Sequence, residues 1–288
     1  MPPADVNSAR RRRARLGAVV LTPFLLLACG PQESAQPPPP PPPPPKIEPP
    51  PPEPPKIIAP PPSLGRADLL AAAATAASAY AAGAAVEGAD PLAGRSFTIR
   101  TPFGCTPARA KPSPGLAGRA LRAKGRSAEL SLTPADWTQS PLVAAAVEAK
   151  VWDAVEGYWI DRPWLASEAC PPSAAPAAED EEIPAPSPQT LGLAAVFEPE
   201  GSRFGRRNGR AYSFALRGEG KAPPPEPPAK GYRLVLEGRF TAFPDGRSIH
   251  CRAETPDQRP LCVAAAQLDR VAFEDGDTGG VISEWRKD

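Results

Sequence analysis

From about Leu92 onward, hydrophobic and polar positions alternate in short runs separated by turn residues. In SFTIRTPFGC, Phe97 and Ile99 fall on one face and Ser96, Thr98 and Arg100 on the other. YRLVLEGRFTAF is clearer: Tyr232, Leu234, Leu236, Phe240 and Ala242 face one way, Arg233, Glu237, Arg239 and Thr241 the other. A period of two is that of a half-buried strand. PDGRSIHC follows at once, and its Asp245-Gly246 pair predicts a hairpin. LCVAAAQLDRVAFEDGDTGGVISEWR predicts another, turning near Asp275 to Gly280. Weaker strands are expected near 117–123, 128–132, 151–160, 191–197 and 210–217.

The segment VWDAVEGYWIDRPW breaks the alternation. Val151, Val155 and Trp159 would share one face, and Trp152, Ala154, Tyr158 and Ile160 the other. Apolar residues on both faces predict a central strand covered on two sides. Trp164, after Asp161-Arg162-Pro163, falls beyond the strand in a turn.

Upstream the pattern is of a different kind. Residues 63–91, SLGRADLLAAAATAASAYAAGAAVEGADP, are alanine-rich and predict a helix, since alanine is the best helix former. Leu69, Leu70 and Tyr80 are its only bulky side chains, so it buries a thin stripe; Gly83 or Gly88 with Pro91 can end it. Residues 37–62 are mostly proline, which forms neither helix nor sheet and favours polyproline II. At about 3.1 Å per residue such a tract reaches roughly 80 Å. Two low-complexity stretches, 171–188 and 221–230, are expected to be mobile surface loops. The expected fold is therefore mainly β, a sandwich or barrel of short antiparallel strands over 92–288. One N-terminal Ala-rich helix precedes it, on a disordered Pro-rich tether spanning 29–62.

Composition and charge change the picture at the N-terminus. Arg10 to Arg13 and Arg15 precede a short apolar run, Leu16 to Ala28, the layout of an export signal. Spanning a bilayer takes roughly 20 apolar residues, more than this run supplies. The run ends Leu26-Leu27-Ala28-Cys29 and resembles the lipobox of bacterial lipoproteins. That resemblance implies cleavage of residues 1–28 and acylation of Cys29, with Gly30 in the next position implying sorting to the outer membrane. Several acyl chains anchor a protein stably where one binds only marginally. Cleavage removes five Arg and one Asp, so 33 basic and 32 acidic residues become 28 and 31, a net charge near −3. No basic tract is then left to suggest nucleic acid.

Cysteine parity follows from the same cut. With Cys29 assigned to lipid, four of the five cysteines remain, an even number that reads as two disulfides in an oxidising compartment. Four cysteines allow three pairings. Cys251–Cys262 is favoured because the short loop between them joins two strand ends, leaving Cys105–Cys170. In the chain-entropy model these contribute about 3 and about 4 kcal/mol.

Candidate chemistry is sparse. The single histidine, His250, adjoins Cys251, and neighbours on a strand point to opposite faces, so the two are poorly placed to share a metal ion or a reacting atom. No C-x-x-C or H-E-x-x-H spacing occurs. No metal, cofactor or catalytic residue is assigned. The tryptophan segment offers a possible binding surface: Trp159 and Trp164, beside Asp161 and Arg162, would stack a sugar ring or grip a partner's loop. SRFGRRNGR, 202–210, concentrates four arginines in a loop between strands. It reads as a solvated basic loop, or as a contact for anionic lipopolysaccharide or an acidic protein partner.

The segments LAGRSFTIRTPFGC, EGYWIDRPWLASEAC, QTLGLAAVF and the closing hairpin resemble uncharacterised envelope lipoproteins of alphaproteobacteria, over roughly residues 91–288. The resemblance implies envelope placement and no activity. The expectation is a non-enzymatic, lipid-anchored outer-membrane protein facing the periplasm, binding an envelope protein or peptidoglycan. Two rivals stand beside it. One is a cell-wall or glycan hydrolase using carboxylates near Trp152–Trp164. The other is an envelope stress sensor, similar in outline to lipoproteins that combine an anchor, a proline-rich tether and disulfides.

Overall fold

The computed structural model describes residues 60–85, 88–105, 112–122, 125–144, 152–172, 187–201, 205–220 and 222–287. Contacts divide the chain between Ile57 and Ile58, and everything described belongs to the second unit. The leader and most of the tether lie outside the described residues.

The fold is mostly β, as the alternation predicts. Strand β10, Leu261–Asp275, is its spine. Its first half pairs antiparallel with β9, Ile249–Arg252, and parallel with β6, Leu191–Phe197. Its second half pairs antiparallel with β8, Tyr232–Phe240, and with β11, Val281–Arg286. The exchange of partners falls at a register shift between Leu268 and Arg270. Beyond β8 lies β1, Ser96–Phe103; beyond β6 lie β5, Ala154–Trp159, and the two-residue β4, Ala135–Asp136. A separate three-stranded antiparallel sheet is formed by β2, Ala117–Arg122, β3, Ser127–Leu132, and β7, Tyr212–Arg217.

Two of the expectations need correction. The strands are not all short and antiparallel, because β10 spans fifteen residues and meets β6 in parallel. A run such as CVAAA, apolar at every position, suits a strand covered on both faces, and parallel pairing occurs where both faces are covered. The helix, α1, covers only Arg66–Ala81 of the expected 63–91. It stops where Gly83 takes φ +62°, a left-handed conformation that glycine adopts freely.

Packing explains the rest. On one face of the large sheet a core forms from Phe97, Ile99, Tyr158, Leu193, Leu236 and Phe273, covered by Leu130 and Leu132 of β3 and by Leu69 and Ala73 of α1. On the other face Trp137, Trp152 and Phe243 cover Val155, Val196 and Val263. The strand at 154–159 is thus buried on both sides. Its Gly157 is required there, since a Cβ would sit 2.1 Å from the Trp137 ring.

The described part of the proline-rich stretch 221–230 is not a free loop. Pro224 is buried, and the amides of Ala229 and Lys230 donate to the Asp277 carboxylate at 2.8 and 2.9 Å. Backbone anchoring of this kind offsets a composition that cannot build its own core. Of 171–188, only the flanks at 171–172 and 187–188 are described.

Arg66, in the first turn of α1, is 1% exposed. Its Nε donates to the Leu165 carbonyl at 2.9 Å and its Nη1 to the Thr101 hydroxyl at 3.1 Å. Its Nη2 is shared between the Asp161 and Arg162 carbonyls at 2.7 and 2.9 Å. Burial lowers its pKa to about 10, against the field of Asp161 and Glu168, so it stays charged at neutral pH. Arg66→Met would leave three carbonyls and a hydroxyl without their donor. The expected cost is about 3–5 kcal/mol, a fall of roughly 10 °C in Tm by calorimetry. A variant that melts with the wild type would show that these contacts carry no net stability.

Candidate functional site

The four cysteines of the domain are joined as Cys105–Cys170 and Cys251–Cys262. Cys251 and Cys262 stand directly opposite in the β9–β10 register. The Cys170 sulfur lies over Gly231, where a Cβ would come within 2.2 Å of it. Cys29 lies outside the described residues.

The tryptophan segment separates into two environments. The Trp159 ring packs edge-on against Trp137, with centroids 4.6 Å apart, on the face away from α1. Trp164 is 58% exposed and makes no ring contact among the described residues. Asp161 and Arg162 pair with each other, and Arg162 Nη1 also reaches the Pro102 carbonyl at 3.3 Å. Arg162 holds φ +51°, uncommon for a side chain of its size. Arg66 fixes the carbonyls on either side of that turn. The turn therefore presents Trp164 from a rigid base, while Trp159 belongs to the opposite layer.

A larger concavity was not legible beforehand. Between α1 and residues 245–251 runs a cleft of about 650 Å³. One wall is the small-residue face of the helix, including Ala72, Thr75, Ala76 and Ala79; Leu64, Leu92 and Ile249 add aliphatic surface and Tyr80 an aromatic ring. Asp90 shapes one end: its Oδ1 accepts from the Leu92 and Ala93 amides, and its Oδ2 from the Ser248 amide at 2.6 Å. In the same 245–251 segment the His250 ring lies tilted against Phe243, with centroids 4.2 Å apart, and its Nε2 meets Asp245 Oδ1 at 3.0 Å. Burial pushes the Asp245 carboxyl up, but the Arg247 amide and the His250 ring outweigh it and hold it below its ordinary value. The polar groups thus brace the backbone around an apolar space, an arrangement suited to binding.

Two acids are buried among the described residues: Glu274, which pairs with Arg100, and Glu156 on β5, 6% exposed. Its Oε1 accepts from the Arg207 and Asn208 amides at 2.8 Å each, and its Oε2 from the Tyr158 hydroxyl at 3.4 Å. This carboxylate pins the arginine loop to the sheet. Asp136 stands opposite it in the β4–β5 register, held below its ordinary value first by the Thr138 hydroxyl and then by the Thr138 amide. A glutamate within a hydrophobic strand was the signal for such a group, yet alternation alone did not separate it from a surface acid.

Among the described residues no group of His, Cys, Asp and Glu is arranged to hold a metal ion, and no helix is long and apolar enough to cross a membrane. Comparison with protein-family models, curated proteins and solved structures finds no match.

Burial raises the Glu156 carboxyl above its ordinary value, outweighing the amides of Asn208 and Arg207, which lower it. The native state therefore keeps this proton to higher pH than the unfolded chain does. Its contribution to stability falls as pH rises from the ordinary glutamate value through the raised one. Glu156→Gln retains an acceptor for both amides and removes that loss, so its Tm should exceed the wild type's at pH 7 and the advantage should vanish in acid. Glu156→Ala strands the amides and should cost about 2–4 kcal/mol at every pH. Thermal denaturation across pH tests this; a Gln variant less stable than wild type at pH 7 would show that the ionised form is the one the fold needs.

Proposed function

We infer that the chain is a lipid-anchored protein of the bacterial outer membrane, and that its domain is a binding module rather than an enzyme. The lipobox at Leu26–Cys29 and the proline-rich tract support the anchored, held-off placement. The observation that carries the binding role is the cleft between α1 and residues 245–251. Its size lies in the range of ligand sites, and alanine with Leu64, Leu92 and Ile249 forms the largest share of its lining, beside Tyr80 and the charged Asp68 and Arg95. A smooth apolar wall of this kind suits the apolar side chains of an envelope protein better than the hydroxyl-rich strands of peptidoglycan.

The rival hydrolase draws support from one observation, the cross-strand acids Asp136 and Glu156, whose environments move their proton affinities in opposite directions. Against it, the Glu156 oxygens are already taken up by two backbone amides and a tyrosine hydroxyl.

Four measurements test the reading. Cys29→Ala should move the protein from the membrane to the soluble fraction, and intact mass of the wild type should show acyl groups on Cys29. A photo-crosslinker at Thr75 should trap an envelope protein in living cells, and Ala72→Trp, which fills the cleft, should abolish the adduct while a crosslinker at Arg217 traps nothing. Retention of the Cys29→Ala protein in the membrane would remove the anchor. Release of muropeptides by the wild type, lost in Glu156→Gln and Asp136→Asn, would replace binding with hydrolysis.

A further inference from the structure

On a different part of the domain, the arginine loop roofs a second cavity, of about 530 Å³, walled by the bulge of β10 and the end of β11. Its cationic lining is Arg206, Arg207, Arg210, Arg270, Arg286 and Lys287, against one acid, Asp269. Three of the cations are already neutralised. Arg206 pairs with Asp153, Arg270 with Glu237 and Glu284, and Arg286 with Glu284. Arg207, Arg210 and Lys287 have no carboxylate partner among the described residues.

What holds the two arginines is neutral. Arg207 Nε donates to the Arg210 carbonyl at 3.3 Å and its Nη2 to the Ala211 carbonyl at 2.6 Å. Its guanidinium carbon lies 4.4 Å from the centre of the Tyr212 ring. Arg210 Nε donates back to the Arg207 carbonyl at 3.1 Å. Glu156 grips the amides of 207 and 208 from below, and Asn208 takes φ +51° to close the turn. A guanidinium oriented by carbonyls and an aromatic face is fixed in direction yet keeps its full charge. Beside these charges the cavity has an aromatic side, where Tyr212 and Trp285 meet edge-on at 5.1 Å.

We propose that this cavity binds a phosphate monoester whose attached ring lies along Trp285, with Arg207, Arg210 and Lys287 gripping the phosphate. Three uncompensated cations and one nearby acid leave about two positive charges, the match for a phosphate dianion. A carboxylate is satisfied by one bidentate arginine and would leave the others unmatched. The volume exceeds what a bare phosphate needs, so the ring makes up the remainder of the contact. This inference goes beyond the binding role assigned to the α1 cleft and does not use that cleft.

The test uses the whole chain from residue 29, made with Cys29→Ala so that no acyl group confuses lipid binding. Calorimetric titration with glucose 6-phosphate should give saturable binding, tighter than inorganic phosphate and weakened by salt, with none for glucose. Arg207→Gln and Arg210→Gln should each weaken it about tenfold. Lys287→Gln, whose side chain makes no hydrogen bond or ion pair among the described residues, separates ligand loss from loop damage. Arg252→Gln, on β9, should change nothing. Phosphatidylcholine vesicles carrying phosphatidylinositol 4-phosphate, whose phosphate monoester sits on a ring, distinguish the source of the phosphate. Flotation with them that fails in the Arg210 and Lys287 variants assigns a lipid-borne ester, whereas binding of the sugar phosphate alone assigns a soluble one. Absence of saturable binding in both arms, or binding that Arg210→Gln and Lys287→Gln leave intact, would overturn the proposal.

Discussion

The buried cation Arg66 ties α1 and β1, which already meet through the Leu64–Phe97 bridge just before the helix, to the turn after β5. It lies in the first turn of α1, and its four hydrogen bonds reach β1 and the turn after β5. None of its acceptors is a carboxylate. A fully buried guanidinium costs free energy unless its donors are satisfied, and backbone carbonyls that point inward cost free energy unless something donates to them. Each solves the other's problem. The helix therefore docks in one orientation although its own apolar stripe is thin, and the turn that presents Trp164 is rigid although it contains a left-handed arginine. The alanine wall of the cleft inherits its position from the same contact.

Strand β10 supplies the second constraint. It is the one strand that touches β6, β8, β9 and β11, and its register shift is where the neighbours change. Arg270, just past that shift, reaches Glu237 on β8 and Glu284 on β11, so charge pairing reinforces the exchange where the ladder is irregular. Both concave sites hang from this strand by way of its neighbours. The cleft uses β9 at one end, and the basic cavity uses the bulge and β11 towards the other.

Much of this was legible in residues, and the illegible parts share a cause. Alternation located β8 to within its ends, and the Asp275–Gly280 turn located the closing hairpin, because each rests on contacts that are local in sequence. The doubly buried character of 154–159 was visible in its aromatic and aliphatic residues on both faces. The length and parallel partner of β10 were not: an all-apolar run such as CVAAA reports coverage on both faces but does not say which strand lies beside it or in which direction. Arg66 looked like any charged residue in a helix's first turn, and Glu156 like a solvated acid. Their roles come from carbonyls and amides distant in the chain, which side-chain patterns do not report. The proline-rich 222–230 stretch misled for the same reason: its order comes from Asp277, beyond its own composition.

The two disulfides fall where these constraints are weakest. Cys251–Cys262 closes the short strand β9 onto β10, and β9 is also the far wall of the cleft from α1. Four residues of pairing hold a strand poorly on their own, and without the bridge that wall would open locally before the rest of the sheet. Cys105–Cys170 joins the end of β1 to the segment that follows the Arg66-bound turn, and it packs over Gly231 where the proline-rich stretch enters β8. The covalent links therefore do not duplicate the core. They hold the edges from which the cleft and the tryptophan turn are built, which makes the shape of those surfaces depend on both bridges being closed.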